Sequence, residues 1–354
     1  MSIELIRKFS EGFGVSGFED EIVDIGKENL DKKLILEEDR MRNLFIRRED
    51  HDESKLTVLV DGHSDEVGFL VQSILDNGLI KFITIGGWLS QVVLGQRVVI
   101  KNRNGKKVKG VISSTPPHFL SGDKKNKVID VDDMYIDVGS LNRDETMNTF
   151  GINIGDPIIP LSEFIHNDCN DTIMGKAFDD RLGCSAVVEI MNSNVSRKLD
   201  YNLVGSLSTQ EEAGLRGARI VANKVKPDLA IIFEGTPADD VIKSGSQSQA
   251  SLGKGPQLRH RDNSMIANPR LMRFVIDLAD ALDIKYQEAV RQGGGTNAGA
   301  IHLSNEGVPT VVIGVPVRYI HSPQGIFKYE DYENAIRLAN KIIESLNSDI
   351  IKKF

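Results

Sequence analysis

The strongest constraint on the fold is the alternation of helical and strand patterns that runs from Ser162 to the C-terminus. Helical periods of apolar residues occur in "GCSAVVEIMNS", "GARIVANKV", "PRLMRFVIDLADALDI" and "YEDYENAIRLANKIIESL". Apolar runs typical of buried strands lie between them, in "YNLVGSLS", "LAIIFEG" and "PTVVIGVPV". Strands separated by helices favour a parallel sheet that is covered by helices. The pattern therefore predicts a layered α/β domain with a mixed, largely parallel sheet.

The middle of the chain follows a different pattern. In residues 72–161, short β-rich runs such as "QRVVIKN", "KGVISS" and "MYIDVG" alternate with turns, and "NRNGKK" is typical of a hairpin. Residues 1–71 begin with two amphipathic helical stripes and continue with two strand-like runs, "NLFI" and "LTVLV". We therefore predict a discontinuous α/β domain formed by residues 1–71 and 162–354, interrupted by a small β-barrel-like insert formed by residues 72–161.

Composition and charge limit the kinds of molecule that the protein can bind and the compartment in which it works. The 354 residues carry a formal net charge of −8 without a long basic block, which argues against nucleic acid or an anionic membrane as the partner. The N-terminal run "MSIELIRKFSEGFG" is too charged for a secretory signal, and no apolar run reaches the roughly 18 residues of a membrane helix. Cys169 and Cys184 lack paired spacing, which favours a reducing environment. We therefore expect a soluble cytoplasmic protein.

Acidic residues and histidines recur where the predicted strands end. Ligands of open α/β sheets bind outside the carboxyl ends of the strands, so side chains at these positions are candidates for a shared site. The candidates are His63 and Asp65 after "LTVLVDG", Asp179 and Asp180 before a helix, Glu211 and Glu212 after "LVGSL", Glu234 in "LAIIFEG", and His321 after "PTVVIGVPVRY".

Each candidate alone has an ordinary explanation. Asp179 and Asp180 fit the N-terminal cap of a helix, and Glu211 and Glu212 fit a helix start, where the macrodipole favours negative charge. These explanations give no reason for five sites to fall at strand ends. Carboxylates gathered there would repel one another and raise their pKa values unless cations lay between them. Two divalent metal ions would remove this difficulty and supply hydrolytic chemistry.

The ordered motifs H-S-D, A-F-D-D-R-L-G, T-Q-E-E-A-G-L-R-G-A, F-E-G and R-Y-I-H-S resemble those of the M42 family of dinuclear metallo-aminopeptidases. That family includes glutamyl aminopeptidases and the tetrahedral TET peptidases. The similarity covers nearly the whole chain, including "GGWLSQVVLGQRV" and "GGGTNAGAIHLSNEGVP". The resemblance implies a layered α/β/α metallopeptidase domain with a dimerisation insert. It also implies a homo-oligomer, a dodecamer built from dimers, that acts on short peptides.

The resemblance assigns a role to each candidate. Asp179 is expected to bridge the two ions, with His63 and Glu234 completing the ligands of one ion, and Glu212 and His321 those of the other. Mixed imidazole and carboxylate ligands suit Zn²⁺, with Co²⁺ or Mn²⁺ as alternatives.

Two further residues are expected to assist without binding metal. Asp65 would orient His63. Glu211 would take a proton from a metal-bridging water and pass it to the leaving amine. The peptide bond between Asp179 and Asp180 is expected to be cis.

Several readings stay open at this point. Glu234 stands where family aminopeptidases usually have Asp and related carboxypeptidases often have Glu, so a metal-dependent carboxypeptidase or N-deacylase is the alternative. Asn297 stands where many relatives have Asp, and Arg181, Arg216 and Asn297 are candidate substrate contacts. An endoglucanase has carboxylates enough, but the histidines fit metallohydrolysis better. A non-enzymatic assembly protein would not need the predicted ligands and base. The preferred N-terminal residue is left undetermined.

Overall fold

The computed structural model describes residues 2–119, 121–122 and 127–354. The helices are α1 (Ser2–Glu11), α2 (Asp20–Asn29), α3 (Ser90–Val93), α4 (Phe178–Ser193), α5 (Arg216–Val225), α6 (Pro269–Ala281), α7 (Ala298–Ile301), α8 (Tyr329–Ser345) and α9 (Ser348–Ile351). The strands are β1 (Ile35–Glu38), β2 (Leu44–Arg47), β3 (Thr57–His63), β4 (Gly68–Ile74), β5 (Ile80–Ile85), β6 (Arg97–Lys101), β7 (Lys107–Ser113), β8 (Tyr135–Asp137), β9 (Pro157–Pro160), β10 (Ile165–Asn167), β11 (Thr172–Gly175), β12 (Asn202–Ser208), β13 (Leu229–Pro237), β14 (Gln257–Arg261), β15 (Gln287–Val290), β16 (Thr310–Arg318) and β17 (Gly325–Lys328).

The large sheet has a parallel centre and antiparallel flanks. Its order is β1-β2-β12-β3-β13-β16-β17-β11-β10, and β14 joins β16 and β15. The four strands β12, β3, β13 and β16 pair in parallel, as the alternating helices and strands predict. The flanking strands β2 and β17 pair antiparallel with this centre. The predicted mixed α/β sheet is therefore confirmed, and its parallel pairs are concentrated in the middle.

Buried apolar strands and amphipathic helices together form the main core. The strands β3, β12 and β16 are buried along almost their whole length, which is typical of parallel strands covered on both faces. Helix α4 packs on β3, β12 and β13 and contacts α1, α2 and α8, whereas α5 and α7 contact each other. The central strands are thus held rigidly at the points where their carboxyl ends meet.

The second unit is a closed barrel with its own core. Its strand order is β4-β5-β8-β7-β6-β9, and residues such as Phe69, Ile80, Val98 and Ile158 fill its interior. The barrel-like insert expected from the sequence is therefore confirmed. Strand β4 begins at Gly68, so the predicted limit between residues 71 and 72 falls inside this strand. A linker of only four residues, 64–67, joins β3 of the sheet to β4 of the barrel.

The helices of the described ranges include none that is long and apolar enough to cross a membrane. Both cysteines are free, with Cys169 exposed and Cys184 buried. The Cys184 thiol donates to the His63 carbonyl oxygen at 3.1 Å, which places it in the core behind the carboxyl end of β3.

Candidate metal centre

The predicted ligands meet at the carboxyl end of the parallel strands. His63 is the last residue of β3, and Glu234 lies in the second half of β13. Glu211 and Glu212 lie in the turn after β12, Asp179 lies in the first turn of α4, and His321 follows β16. Because these strands are neighbours and parallel, their ends share one edge of the sheet.

Asp179 lies between the two histidines. Its Oδ1 is 3.1 Å from His63 Nε2, and its Oδ2 is 3.4 Å from His321 Nε2. Each oxygen of one carboxylate therefore faces a different imidazole, which is the arrangement that a bridging ligand requires. The His321 Nε2 atom is also 3.1 Å from Glu212 Oε1. The peptide bond between Asp179 and Asp180 is cis, as expected.

The donor set fits two cations. Within the part of the chain that the structure describes, the buried oxygen Glu234 Oε2 has no hydrogen-bond partner, and Glu212 Oε1 has only the His321 imidazole beside it, at 3.1 Å. Buried oxygens left unpaired are costly, and a divalent cation would satisfy both. Ligand atoms of His63, Asp179 and Glu212 lie within 4.8 Å of one another, as do those of His63, Asp180 and Glu234.

Asp180 has a structural role instead. Its two carboxylate oxygens accept hydrogen bonds from the backbone N–H of His63 and of Gly183, both at 3.0 Å. Burial, together with the charge of Asp179, raises the pKa of Asp180 to about 8. Its oxygens are thus committed to holding β3 against α4, which leaves Asp179 as the acidic ligand of this pair.

The electrostatics of the cluster favour added positive charge. Burial raises the pKa of Glu211 and of Glu234 well above the ordinary value, and neighbouring carboxylates add to this. Although burial opposes it, the carboxylates of Asp179 and Glu212 raise the pKa of His321 to about 11. If the carboxyl groups of Asp179, Glu211, Glu212 and Glu234 were all ionised, they would carry more negative charge than the two histidines balance, and divalent cations would remove that imbalance.

Both histidines are oriented by an oxygen on the far side of the ring. His63 Nδ1 is 3.1 Å from the backbone oxygen of Asp65 and 3.3 Å from its Oδ1. His321 Nδ1 is 2.9 Å from the backbone oxygen of Gly87, which follows β5 of the barrel. In each case the ring turns Nε2 toward Asp179, as is usual for metal-binding histidines. The sequence pattern pointed to Asp65 but not to Gly87.

The structure places the three candidate substrate contacts away from this cluster. Arg181 is fully buried and donates to the carbonyl oxygens of Phe9 and Gly14 at 3.0 and 2.9 Å, so its expected substrate contact does not fit. Asn297 is also buried, and its Nδ2 donates to Asp61 at 2.8 Å. Both side chains are therefore part of the interior.

Arg216 is the exposed member of the three. It begins α5, and its Nη1 is 3.4 Å from Gln210 Oε1. It is not among the residues that line the cavity in front of the ligands, although its neighbours Gly214 and Leu215 are, so its substrate contact stays a prediction.

A cavity of about 1030 Å³ opens in front of the ligands. The acidic side of its lining contains Asp179, Glu211, Glu212 and Glu234, and other parts of the lining carry the cations Lys243, Arg259 and Arg291.

These cations share two acidic partners. Lys243 Nζ and Arg291 Nη1 lie 3.2 and 3.6 Å from the same oxygen of Asp239, and Arg259 pairs with Asp262 at 3.1 Å. Three positive charges thus face two negative ones. Arg259 lies in the segment "LGKGPQLRHRD", but the sequence alone gave none of the three cations a role.

Comparisons with known proteins identify the family to which the chain belongs. The family model described as M42 glutamyl aminopeptidase matches residues 43–338. The glutamyl aminopeptidase of Lactococcus lactis subsp. cremoris is 36% identical over 97% of this chain and 96% of its own length.

Solved structures extend the similarity to the fold. The TET aminopeptidase of Thaumarchaeota archaeon SCGC AB-539-E09 is 40% identical, with a TM-score of 0.94 and 99% of each chain covered. The TET1 peptidase of Pyrococcus horikoshii, described as assembling into a tetrahedron or a large octahedral shell, is 28% identical with a TM-score of 0.87, covering 98% of this chain and 100% of its own.

Proposed function

The chain belongs to the M42 peptidase family and is an aminopeptidase, and we propose that it removes N-terminal residues from short peptides with two divalent metal ions. The observation that carries the proposal is the Asp179 carboxylate, whose two oxygens lie 3.1 and 3.4 Å from two different histidines. Two ions held there would supply Lewis-acid chemistry that activates water and polarises the scissile carbonyl.

Five side chains would hold the ions. Asp179, His63 and Glu234 would hold one ion, and Asp179, Glu212 and His321 would hold the other. The unpartnered buried oxygen of Glu234 and the approach of Glu212 Oε1 to His321 Nε2, at 3.1 Å, support this assignment. Zn²⁺ suits the mixture of imidazole and carboxylate, and Co²⁺ and Mn²⁺ suit it as well.

Glu211 is the proton carrier of the proposed reaction. Its Oε2 is 3.9 Å from His63 Nε2, and it lines the cavity without being one of the five ligands. As water oxygen bonds to the carbonyl carbon, Glu211 takes a proton from that water. The same proton goes to the amine nitrogen as the carbon–nitrogen bond breaks. A buried carboxylate with a raised pKa is suited to hold the proton between these steps.

The cations of the cavity favour an acidic N-terminal side chain. Lys243 and Arg291 compete for one oxygen of Asp239, and in the described residues the buried Nε of Arg291 has no hydrogen-bond partner. A substrate carboxylate would supply the missing acceptor. We expect Arg291→Gln to lower kcat/KM for glutamyl substrates about tenfold, the value of one charged hydrogen bond, and to leave leucyl substrates within about threefold.

Hydrolysis of matched peptides tests the proposal and its alternative. The panel contains free and N-acetylated di- and tripeptides beginning with Glu, Lys or Leu, assayed before chelation, after it, and after restoring Zn²⁺, Co²⁺ or Mn²⁺. Cleavage of free-amine peptides only, lost on chelation and restored by metal, is the expected result. Glu234 keeps a carboxypeptidase or N-deacylase open, and activity on acetylated substrates alone would establish that alternative.

We further propose a homo-oligomer, a dodecamer built from dimers that meet through the barrel. The barrel exposes large apolar side chains, among them Leu89 and Leu141, and a similar TET1 peptidase forms closed shells. Light scattering that gives only monomer at all concentrations would reject this.

We expect the protein to work in the cytoplasm, where free cysteines persist, without nucleic acid or membrane partners.

A further inference from the structure

The segment 209–212, called here the carboxylate loop, is held by side chains rather than by the sheet. It follows β12 and contains the proposed proton carrier and one proposed ligand. Four successive backbone N–H groups of the loop donate to side-chain oxygens. These bonds are Thr209 N to Asn43 Oδ1 at 2.8 Å, Gln210 N to Glu19 Oε1 at 3.1 Å, Glu211 N to Asp65 Oδ1 at 2.8 Å, and Glu212 N to Asp65 Oδ2 at 3.1 Å.

The three accepting side chains come from separate parts of the N-terminal segment and are all buried. Glu19 lies directly before α2, yet its carboxylate does not cap that helix. Its Oε1 instead accepts from Gly17 N at 2.8 Å and reaches Gln210, 191 residues further along the chain. Gln210 has a φ of 54°, a left-handed conformation that is unfavourable for a residue with a side chain. The bond to Glu19 stabilises the turn at this residue.

The loop needs such support because of its own charges. Glu211 and Glu212 are adjacent, nearly buried carboxylates, and both lie close to the carboxylate of Asp179. Repulsion among these groups favours any rearrangement that turns one glutamate toward water. Backbone bonds hold the carbonyl oxygens of this turn, with Gly214 and Leu215 N–H donating to Glu211, Arg216 N–H to Gln210 and Gly217 N–H to Thr209. The N–H groups of residues 209–212, by contrast, depend on the side chains named above.

We propose that Glu19 is a positioning residue for catalysis: by fixing the backbone at Gln210, it aims the Glu211 carboxylate at the water and the leaving amine. Asn43 and Asp65 hold the residues on either side, and Ser16 supports Asp65 by donating to its Oδ2 at 2.6 Å. The inference rests on the proposed role of Glu211. Glu19 touches neither substrate nor ligand, so its effect passes through the carboxylate loop.

Three variants test the proposal. Glu19→Ala removes the acceptor, Glu19→Gln keeps an oxygen acceptor without the charge, and Glu21→Ala is the matched control. Glu21 lies two residues away and also accepts a backbone N–H, from Phe13 at 3.2 Å, but it does not reach the carboxylate loop. For each variant we would measure kcat and KM, metal content, and hydrogen–deuterium exchange of the peptide 209–213 in the metal-free protein.

The expected result separates positioning from folding. Glu19→Ala lowers kcat about 10- to 100-fold, the loss typical of a displacement of about 1 Å, leaves KM within a few-fold, and speeds exchange in peptide 209–213 but not in the β13 peptide 229–237. Glu19→Gln recovers most of the lost kcat, and Glu21→Ala keeps the parent values.

Two outcomes would overturn the proposal. One is normal kcat in Glu19→Ala, and the other is equal damage in Glu19→Gln and Glu19→Ala, because an amide oxygen still accepts the bond. Failure of the underlying function would look different: full activity of Glu211→Gln would remove the role of Glu211 whatever the Glu19 variants do.

Discussion

The two histidines that face Asp179 differ in their surroundings. His63 ends a buried parallel strand and is 1% exposed, whereas His321 lies in a loop and its side chain is 33% exposed. His63 is oriented by Asp65, which lies in the four-residue linker that directly follows β3. His321 is oriented by Gly87, which belongs to the barrel. One half of the proposed metal centre is thus built by β3 and the residues that directly follow it, and the other half needs a contact between the loop after β16 and the barrel.

This difference suggests a part for the barrel in the proposed chemistry, in addition to the assembly proposed above. A Cβ atom on Gly87 would lie 3.3 Å from His321 Nδ1, and one on Gly86 would lie 3.2 Å from Glu212 Oε2. Both glycines therefore allow the barrel to approach the two ligands of the less buried ion. We infer that the two ions are bound with different strength and that the ion near His321 leaves first.

The largest expected effect on activity comes from changing Glu211, which is a proposed ligand in neither half of the centre. Glu211→Gln removes the proton carrier but none of the five ligands, so we expect kcat to fall about 10²–10⁴-fold while metal content stays at the parent value. Elemental analysis of the purified variant beside steady-state kinetics checks this. Substantial turnover in the metal-loaded variant would contradict the role of Glu211, and loss of metal would instead make Glu211 a ligand.

A smaller effect, on metal affinity, should distinguish the half of the proposed centre that contains His321 from the half that contains His63. In Gly86→Ala the new methyl group overlaps the Val67 side chain and crowds Glu212, so we expect the ion held by Glu212 and His321 to bind about 10- to 100-fold more weakly. The ion held by His63 and Glu234 should keep its affinity. Titration with a chelator, followed by metal analysis, would show the two release steps moving apart.

Gly95→Ala is the matched control for this change. Both glycines have left-handed backbones, with φ of 75° at Gly86 and 82° at Gly95, but a Cβ on Gly95 meets no atom of the described residues within 4 Å. Both variants should lose about 1–2 kcal/mol of stability from backbone strain, and Gly86→Ala should lose more because its methyl group overlaps Val67. Only Gly86→Ala should change metal release. Identical release curves for the two variants would mean that the barrel does not shape this half of the centre.

The same contrast explains how much of the molecule can be predicted from sequence. The grouping of the candidate residues was predictable because most of them lie in or after apolar strand patterns, and parallel strands bring their carboxyl ends together. Their roles as ligands came from the family resemblance, above all for Asp179, which precedes a helix. The supports of those ligands were not predictable, because Gly87 meets His321 across 234 positions of the chain and Glu19 meets Gln210 across 191. The periodicity of apolar residues within one helix or strand carries no information about contacts between residues so far apart in the chain.

Among the arginines, the one that the sequence placed near the substrate is buried, and two to which the sequence gave no role line the cavity. Arg181 follows Asp179 and Asp180 and so looked like a neighbour of the substrate, but α4 turns its side chain into the core, where it also meets Glu66 at 3.2 Å. Arg259 and Arg291 line the cavity because β14 and β15 pair beside β16, and the alternation of helices and strands did not predict that extension of the sheet. Charged residues on irregular or added strands depend on tertiary pairing, which their own sequence does not specify.

The smallest expected effect concerns Glu19, which supports the loop shared by both halves. Burial, with the charge of Asp65 adding to it, raises the pKa of Glu19 from 4.5 to about 7. The folded protein therefore binds an additional proton between these pH values, and the stability that this proton contributes is present below pH 4.5 and lost as the pH rises through 7. Glutamine does not titrate, so Glu19→Gln removes this loss.

Metal-free Glu19→Gln should consequently gain stability over the parent protein as the pH is raised from 5 to 8, by on the order of 1–3 kcal/mol. Urea unfolding of both proteins in chelator at the two pH values measures this difference. A gain of this sign would mean that the charge on Glu19 costs stability even though its oxygen positions the carboxylate loop. A difference that is the same at both pH values would mean that Glu19 ionises as a surface carboxylate does, and that the burial seen around the loop carries no energetic penalty for its charge.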